Sequence, residues 1–163
     1  MAGELSPAMQ ALYEGDRDRA EELLPPDDEL TVFEAAAFGR VEALRAILDA
    51  DPTQANALSP DGFTPLHLAC FAGGPAATQL LVDRGADLER ISVAAIAQVR
   101  PLGTAVFSRD KESAEILLKA GADPNGEGVG GSTPTQTARA NDDEELIQLL
   151  ETYGADAGSA GVG

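Results

Sequence analysis

The segment DGFTPLHLA at residues 61–69 decides the fold. Thr64 followed by Pro65 is typical of a helix start, because a hydroxyl can cap free N–H groups and proline is tolerated in the first turn. Gly73 lies between two apolar stretches, where a helix has to end at a residue able to adopt positive φ. Residues 61–89 therefore form one unit, and we predict that it folds as two short antiparallel helices.

The same unit recurs along the chain. The Gly-Ala-Asp triplet that closes it at 85–87 returns 36 residues later at 121–123, and again 33 residues after that at 154–156, so the first interval contains three extra residues. Upstream, residues 34–48 and then 11–24 keep the same spacing of alanines, glycine and paired apolar residues. We therefore expect about five units.

DGFTPLHLA resembles the ankyrin-repeat signature almost letter for letter. The resemblance implies an all-α, ankyrin-repeat solenoid of stacked antiparallel helix pairs with hairpin loops, in which the first and last units act as caps. We expect a single domain over residues 1–156 and a mobile C-terminal tail at 157–163. The expected units lie near residues 3–26, 27–60, 61–96, 97–129 and 130–156.

Stacking of units predicts which side chains are buried. One unit alone cannot bury apolar residues such as Leu80 and Leu117, so we expect them to lie between neighbouring units. The last unit has Thr135 and Thr137 at the positions of two leucines in the full repeat. Because a terminal unit faces water on one side, we expect these threonines to be exposed.

Composition narrows the class of partner and the compartment. The formal charge of −17 repels phosphate backbones and anionic lipids, so we expect neither nucleic acid nor a membrane as a partner. No apolar run approaches the roughly 20 residues needed to span a bilayer. An acidic N-terminal segment argues against an export signal, and a single cysteine fits a reducing compartment. We expect a cytoplasmic protein, and the preference for arginine over lysine is typical of a bacterial, GC-rich genome.

Few residues could carry chemistry. His67 is the only histidine, and the resemblance implies that it links neighbouring turns by hydrogen bonds. Cys70 is expected to be a small buried thiol. Residues 126–131 match the G-x-G-x-x-G pattern of dinucleotide sites, but they follow a helix and not a strand, so the match carries little weight. We assign no catalytic residue, no cofactor and no metal ligand.

A partner site is implied by the resemblance, since related proteins bind through a concave face formed by first helices and hairpin tips. Four aromatic residues gather at the ends of the first helices and form an aromatic strip, and a fifth lies at a hairpin tip. The alternative is that some residues of the aromatic strip pack in the core. The loop at 91–99 is apolar, and it either folds over the stack or forms an exposed patch. The candidate residues are Tyr13, Phe38, Phe63, Phe71, Phe107, Ile96 and Val99.

The sequence thus favours a protein–protein interaction module (a scaffold, adaptor or inhibitor) with a basic or neutral partner protein. A first alternative is a homodimer that self-associates through the loop 91–99, which would cover the concave face. A second alternative, an enzyme or small-molecule binder, is disfavoured because the residues offer no coherent pocket motif.

Overall fold

The computed structural model describes residues 4–95 and 97–156, and these form helices and loops without strands. Two candidates, Ile96 and the tail at 157–163, lie outside the described residues. The helices form five pairs: α1 (Pro7–Tyr13) with α2 (Arg17–Glu22), α3 (Val32–Ala37) with α4 (Val41–Ala50), α5 (Pro65–Leu68) with α6 (Pro75–Asp83), α7 (Pro101–Phe107) with α8 (Lys111–Lys119), and α9 (Pro134–Ala140) with α10 (Glu144–Thr152). Shorter pieces are a π-helical turn (Ala69–Gly73) that continues α5 and two 3-10 turns (Asp27–Glu29 and Pro52–Asn56). The all-α prediction is confirmed.

Most of the first helices begin at a hydroxyl side chain. Thr64 accepts a hydrogen bond from the backbone N–H of His67, and Thr133 does the same for α9. Ser6 and Thr31 cap α1 and α3 in the same way. These hydroxyls satisfy N–H groups that would otherwise lack partners in the first turn. The fourth unit differs, since Arg100 precedes α7 without a side-chain cap.

Like helices stack on like helices. In one layer α3 packs on α5, α5 on α7 and α7 on α9; in the other, α4 packs on α6, α6 on α8 and α8 on α10. The burial of Leu80 and Leu117 is confirmed, since their exposed fractions are 6% and 0%. The fully buried leucines of the second helices recur at the spacing of the units, at Leu48, Leu81, Leu117 and Leu150.

The last unit corrects one prediction. Thr135 was expected to face water, but it is only 2% exposed, and its Oγ1 has no hydrogen-bond partner among the described residues. Its position corresponds to Leu66 of the full repeat, which is fully buried as well. The outer surface of α10 is polar instead, with exposed Glu144 and Gln148.

The turn of the third unit also differs from the prediction. Gly74, and not Gly73, has positive φ (91°), because the π-helical turn carries the chain one residue further. Gly73 is required for another reason: a Cβ atom there would overlap the carbonyl oxygen of Ala36 in the preceding unit. The first helices of these two units therefore touch backbone to backbone.

The hairpins between the units are joined into a strip. The 90–100 hairpin closes on itself through Ser92 N–H, which donates to the carbonyl oxygen of Val99 at 2.9 Å. It binds the hairpin before it through Val93 N–H and Gly62 O (2.9 Å), and the one after it through Val129 N–H and Gln98 O (2.8 Å). These joined hairpins lie beside the first helices and form one wall of a groove.

Candidate functional site

A groove of about 720 Å³ runs between the hairpin strip and the first helices. Its helical floor includes His67, Gly103 and Thr104, while the hairpins contribute Gln98 and Gly128. The groove crosses the third, fourth and fifth units, and Tyr13 of the first unit reaches it as well. Sites that bind ligands in proteins are usually concave, with a largely apolar lining and a few polar groups.

The structure brings together five of the seven residues predicted from the sequence. Phe38 is separate from the groove: it is 5% exposed, and the guanidinium of Arg17 lies 5.5 Å from the centre of its ring. Ile96 lies outside the described residues. The five that line the groove are Tyr13, Phe63, Phe71, Val99 and Phe107.

One end of the groove is an aromatic pair. The rings of Tyr13 and Phe71 lie 5.8 Å apart at an angle of 49°, although they belong to the first and third units. Burial, followed by the nearby carboxylate of Asp61, raises the pKa of the Tyr13 hydroxyl well above its usual range. Tyr13 therefore keeps its proton and can donate a hydrogen bond.

The other end carries exposed apolar groups. Phe107 is 66% exposed and Val129 is 67% exposed, and both line the groove. Phe107 is the last residue of α7, one turn after Gly103, so the two lie on the same face of the helix. This half of the groove offers apolar surface that the described part of the chain leaves open to water.

His67 links the first helix of the third unit to the next hairpin across the groove. Its Nε2 lies 2.8 Å from the carbonyl oxygen of Val99 in the next hairpin, and its Nδ1 lies 2.8 Å from Oγ1 of Thr64. Burial lowers the pKa of His67, and the charge of Arg90 acts in the same direction, while hydrogen bonds to the backbone of Val99 and Arg90 act against them. The neutral ring, with its proton on Nε2, fits these partners. The structural role implied by the resemblance is confirmed.

The lowered pKa of His67 predicts a pH-dependent contribution to stability. The unfolded chain takes up a proton near the ordinary pKa of about 6.5, before the folded chain does, so the contribution of neutral His67 is complete above that pH and declines as the pH falls. We expect the stability difference between the wild-type chain and His67→Gln, measured by urea denaturation, to shrink between about pH 7.5 and pH 5. Glutamine is the matched replacement, because Gln136 closes the same capping box in α9. A difference that stays constant over this range would exclude the effect.

Arg100 replaces the capping threonine and acquires a different role. Its guanidinium forms an ion pair with Glu89 at 2.6 Å and donates to the carbonyl oxygen of Glu127 at 3.0 Å. Glu89 in turn accepts a hydrogen bond from the backbone N–H of Asp123. The positions equivalent to Glu89 in the neighbouring units are Asn56 and Asn125, which bind the next turn through their amides. Arg100 and Glu89 thus replace the usual cap and the usual asparagine together.

The remaining chemical candidates are accounted for by packing. Cys70 is fully buried, and burial raises the pKa of its thiol to about 12, so it is protonated at neutral pH. Gly128 allows a close approach of two hairpins, because a Cβ atom there would overlap the carbonyl oxygen of Gln98. Residues 4–95 and 97–156 contain no cluster of histidine, cysteine and acidic side chains that could hold a metal ion.

Comparison with known families identifies the architecture. The family model for ankyrin repeats (three copies) matches residues 8–92 and 32–128, which together cover most of the chain. The chain belongs to the ankyrin-repeat family. Among the described helices of this ankyrin-repeat protein, none is both long and apolar enough to cross a membrane.

The curated relatives are much longer proteins. Ankyrin repeat and SAM domain-containing protein 6 of Rattus norvegicus is 33% identical over 121 residues, which cover 73% of this chain and 13% of that protein. Ankyrin repeat protein nuc-2 of Neurospora crassa is 30% identical over 129 residues, covering 75% of this chain and 11% of the relative. The B-cell lymphoma 3 protein homolog of Mus musculus is 32% identical over 98 residues, covering 60% and 21%. The chain thus spans a small part of the length of these relatives.

Two features were missed in the sequence. Ser6 and Thr31 cap their helices at the position of Thr64, and the 33-residue spacing from Thr31 to Thr64 could have revealed the second of them. In the three first helices that are capped by threonine (α3, α5 and α9), the residue three positions after the cap carries a side chain. In α7 the equivalent position, three residues after Arg100, is Gly103. The spacing alone does not show that this absence opens a space in the groove.

Proposed function

We propose that this ankyrin-repeat protein binds a partner protein in the groove, as a scaffold, adaptor or inhibitor. Ankyrin repeats are protein–protein interaction modules as a family. The observation that carries the proposal is the exposure of Phe107 and Val129 inside a concave site. Large apolar groups in such a position are typical of the centre of a protein interface.

The distribution of charge supports the same surface. The five first helices carry only Glu34, which is buried, and Arg139 as charged side chains. Every second helix carries at least one charged side chain, and four of the five carry three or more. In a chain of net charge −17, the floor of the groove is therefore close to neutral. Depletion of charge at the core of a surface patch is a feature of protein interfaces.

The same charge distribution bears on the kind of partner. A basic or neutral protein is favoured over nucleic acid or an anionic membrane, because the acidic loops and second helices repel negative partners at long range. Catalysis is disfavoured because His67 and Cys70 are both used in packing. We propose a binding protein of the cytoplasm with no enzymatic activity.

Self-association remains the rival interpretation. Val93 on the 90–100 hairpin is 60% exposed, whereas Ala94 beside it is buried. The hairpin thus packs on the stack with one side and presents a small apolar group on the other. A dimer formed through this tip would give an adduct between two copies of the chain on photo-crosslinking from the groove.

Photo-crosslinking tests the proposal. We would replace Phe107 with benzoylphenylalanine in the cell that makes the protein, and place the same group at Glu112 on the opposite helix of the unit as the matched control. We expect irradiation to give an adduct with another protein from position 107 and not from position 112. An adduct of twice the chain's mass would favour the homodimer. The absence of an adduct specific to position 107 would contradict the proposal.

A further inference from the structure

A glycine in the fourth unit has no structural explanation. Gly103 lies inside α7 with an ordinary φ, and outside the backbone of α7 the one described heavy atom near the position of its missing Cβ is the Cβ of Val99, at a comfortable 3.7 Å. A glycine inside a helix is disfavoured relative to alanine. Among the described residues, neither backbone conformation nor close packing requires a glycine at this position.

The other units fill this position. Three residues after the helix cap, Glu34, His67 and Gln136 fold back toward the cap threonine. In the fourth unit neither the cap threonine nor this side chain is present, and Arg100 is held away by its ion pair with Glu89. The result is a notch in the floor of the groove at Gly103.

The walls of the notch are apolar. Val99 stands at one side, and Phe107 lies one helical turn further along the same face of α7. Val129 of the next hairpin also lines the groove. The notch is therefore a space for an apolar group, bounded by two side chains that are themselves largely exposed.

The rim beside the notch is acidic. Glu127 is exposed between two groove-lining glycines, and its carboxylate forms no ion pair with the described residues. Arg100, the positively charged residue that lines the groove, forms an ion pair with Glu89. A positive group that enters next to the notch would meet an unpaired carboxylate in a chain of net charge −17.

We propose that the notch at Gly103 is an anchor pocket for one bulky apolar side chain of a partner protein, in a segment that carries lysine or arginine beside that side chain. The inference rests on the proposed function and specifies the chemistry of the partner at this site. Glu127 pairs with the flanking cation, while Val99, Phe107 and Val129 enclose the anchor. An acidic or phosphorylated segment is excluded from the pocket by like charge.

Short peptides test the anchor directly, because the protein has no tryptophan and a tryptophan in the peptide is therefore a unique fluorophore. The probe is an acetylated and amidated pentapeptide with tryptophan between two pairs of lysines. Two matched peptides replace the lysines with glutamine or with glutamate. A third replaces the tryptophan with alanine, and because it has no fluorophore its binding is measured by competition with the lysine-flanked probe. We expect a saturable blue shift with the lysine-flanked peptide, weaker binding of the glutamine-flanked peptide and no binding of the glutamate-flanked one.

Variants of the protein locate the peptide. Gly103→Gln restores the side chain found in the last unit, so we expect the melting temperature to be kept or raised and the affinity for the lysine-flanked probe to fall at least about tenfold. Gly103→Ala is the matched control and should change the affinity less than about threefold. Glu127→Gln should weaken binding of the lysine-flanked peptide and leave the glutamine-flanked one unchanged.

Three results would overturn the pocket: no saturable signal up to about 1 mM probe, an affinity insensitive to Gly103→Gln, or equal competition by the alanine-centred peptide, which would indicate charge alone. Each differs from a failure of the proposed function. A specific adduct at position 107 together with any of these results would leave partner binding in place and remove the anchor. Peptide binding at Gly103 without such an adduct would support the anchor pocket and contradict the proposed binding of a partner protein.

Discussion

Leu117→Ala should lower the free energy of unfolding by about 2–5 kcal/mol. Leu117 has no exposed surface and lies on α8, between α6 of the preceding unit and α10 of the next. Truncation removes the transfer free energy of the lost atoms and leaves a cavity that the neighbouring helices close only in part. Chemical denaturation of the wild-type and variant chains measures the difference.

Ile116→Ala on the same helix is the matched control. Ile116 is only half-buried, so the same kind of truncation should cost less there than at Leu117. A loss below about 1 kcal/mol for Leu117→Ala would mean that the stacking register is wrong. Equal losses at the two positions would indicate that α8 is not oriented as described.

The stacking register is the part of the fold that sequence predicts best. Each unit has to bury the same face against its neighbours, so a leucine that is core in one unit is core in the next. The spacing between Leu81 and Leu117 includes the three extra residues of the long hairpin, and both leucines are nevertheless fully buried. The insertion changes the hairpin and leaves the helices in register.

Polarity was a poorer guide at the end of the stack. Thr135 was predicted to be exposed because it is a polar residue of a terminal unit, but its position within the unit determines its burial. Burial of a hydroxyl without a hydrogen-bond partner costs free energy, yet Thr135 occupies the buried position of a leucine. The caps Ser6 and Thr31 lack the Thr-Pro-Leu-His sequence that follows Asp61-Gly62-Phe63, although the hydroxyl alone performs the capping.

The positions of the aromatic residues could be predicted from the sequence, whereas their exposure could not. The repeat period brings aromatic residues to the ends of the first helices, and three of these four line the groove. Helix α3 ends one residue earlier than α1 or α7, so Phe38 is the residue after the helix, and Arg17 covers it. Arg17 is held there by a hydrogen bond to the carbonyl oxygen of Ala72, two units away. A contact between distant units of this kind has no signature in the local sequence.

Truncation of Phe107 should separate binding from folding. Phe107 is 66% exposed, and exposed substitutions usually change stability by no more than about 0.5 kcal/mol. A buried aromatic at the centre of an interface contributes a large share of the binding energy, so we expect Phe107→Ala to weaken partner binding by on the order of 2 kcal/mol, roughly 30-fold. Leu23→Ala is the control, because Leu23 is exposed outside the groove and should affect neither quantity.

Phe71 belongs to the same aromatic strip as Phe107, but its truncation should also lower the stability of the fold. It is half-buried, and its ring packs on Tyr13, so Phe71→Ala removes an aromatic pair worth about 0.5–1.5 kcal/mol beyond the area that it buries. The double variant of Phe71 and Phe107 should therefore lose some stability through Phe71 alone, and binding through both. The melting temperature and the affinity for the crosslinked partner, measured on the two single variants and the double variant, separate these contributions. If Phe107→Ala alone collapses the melting transition, then Phe107 is part of the core, and the aromatic strip is no longer a binding surface.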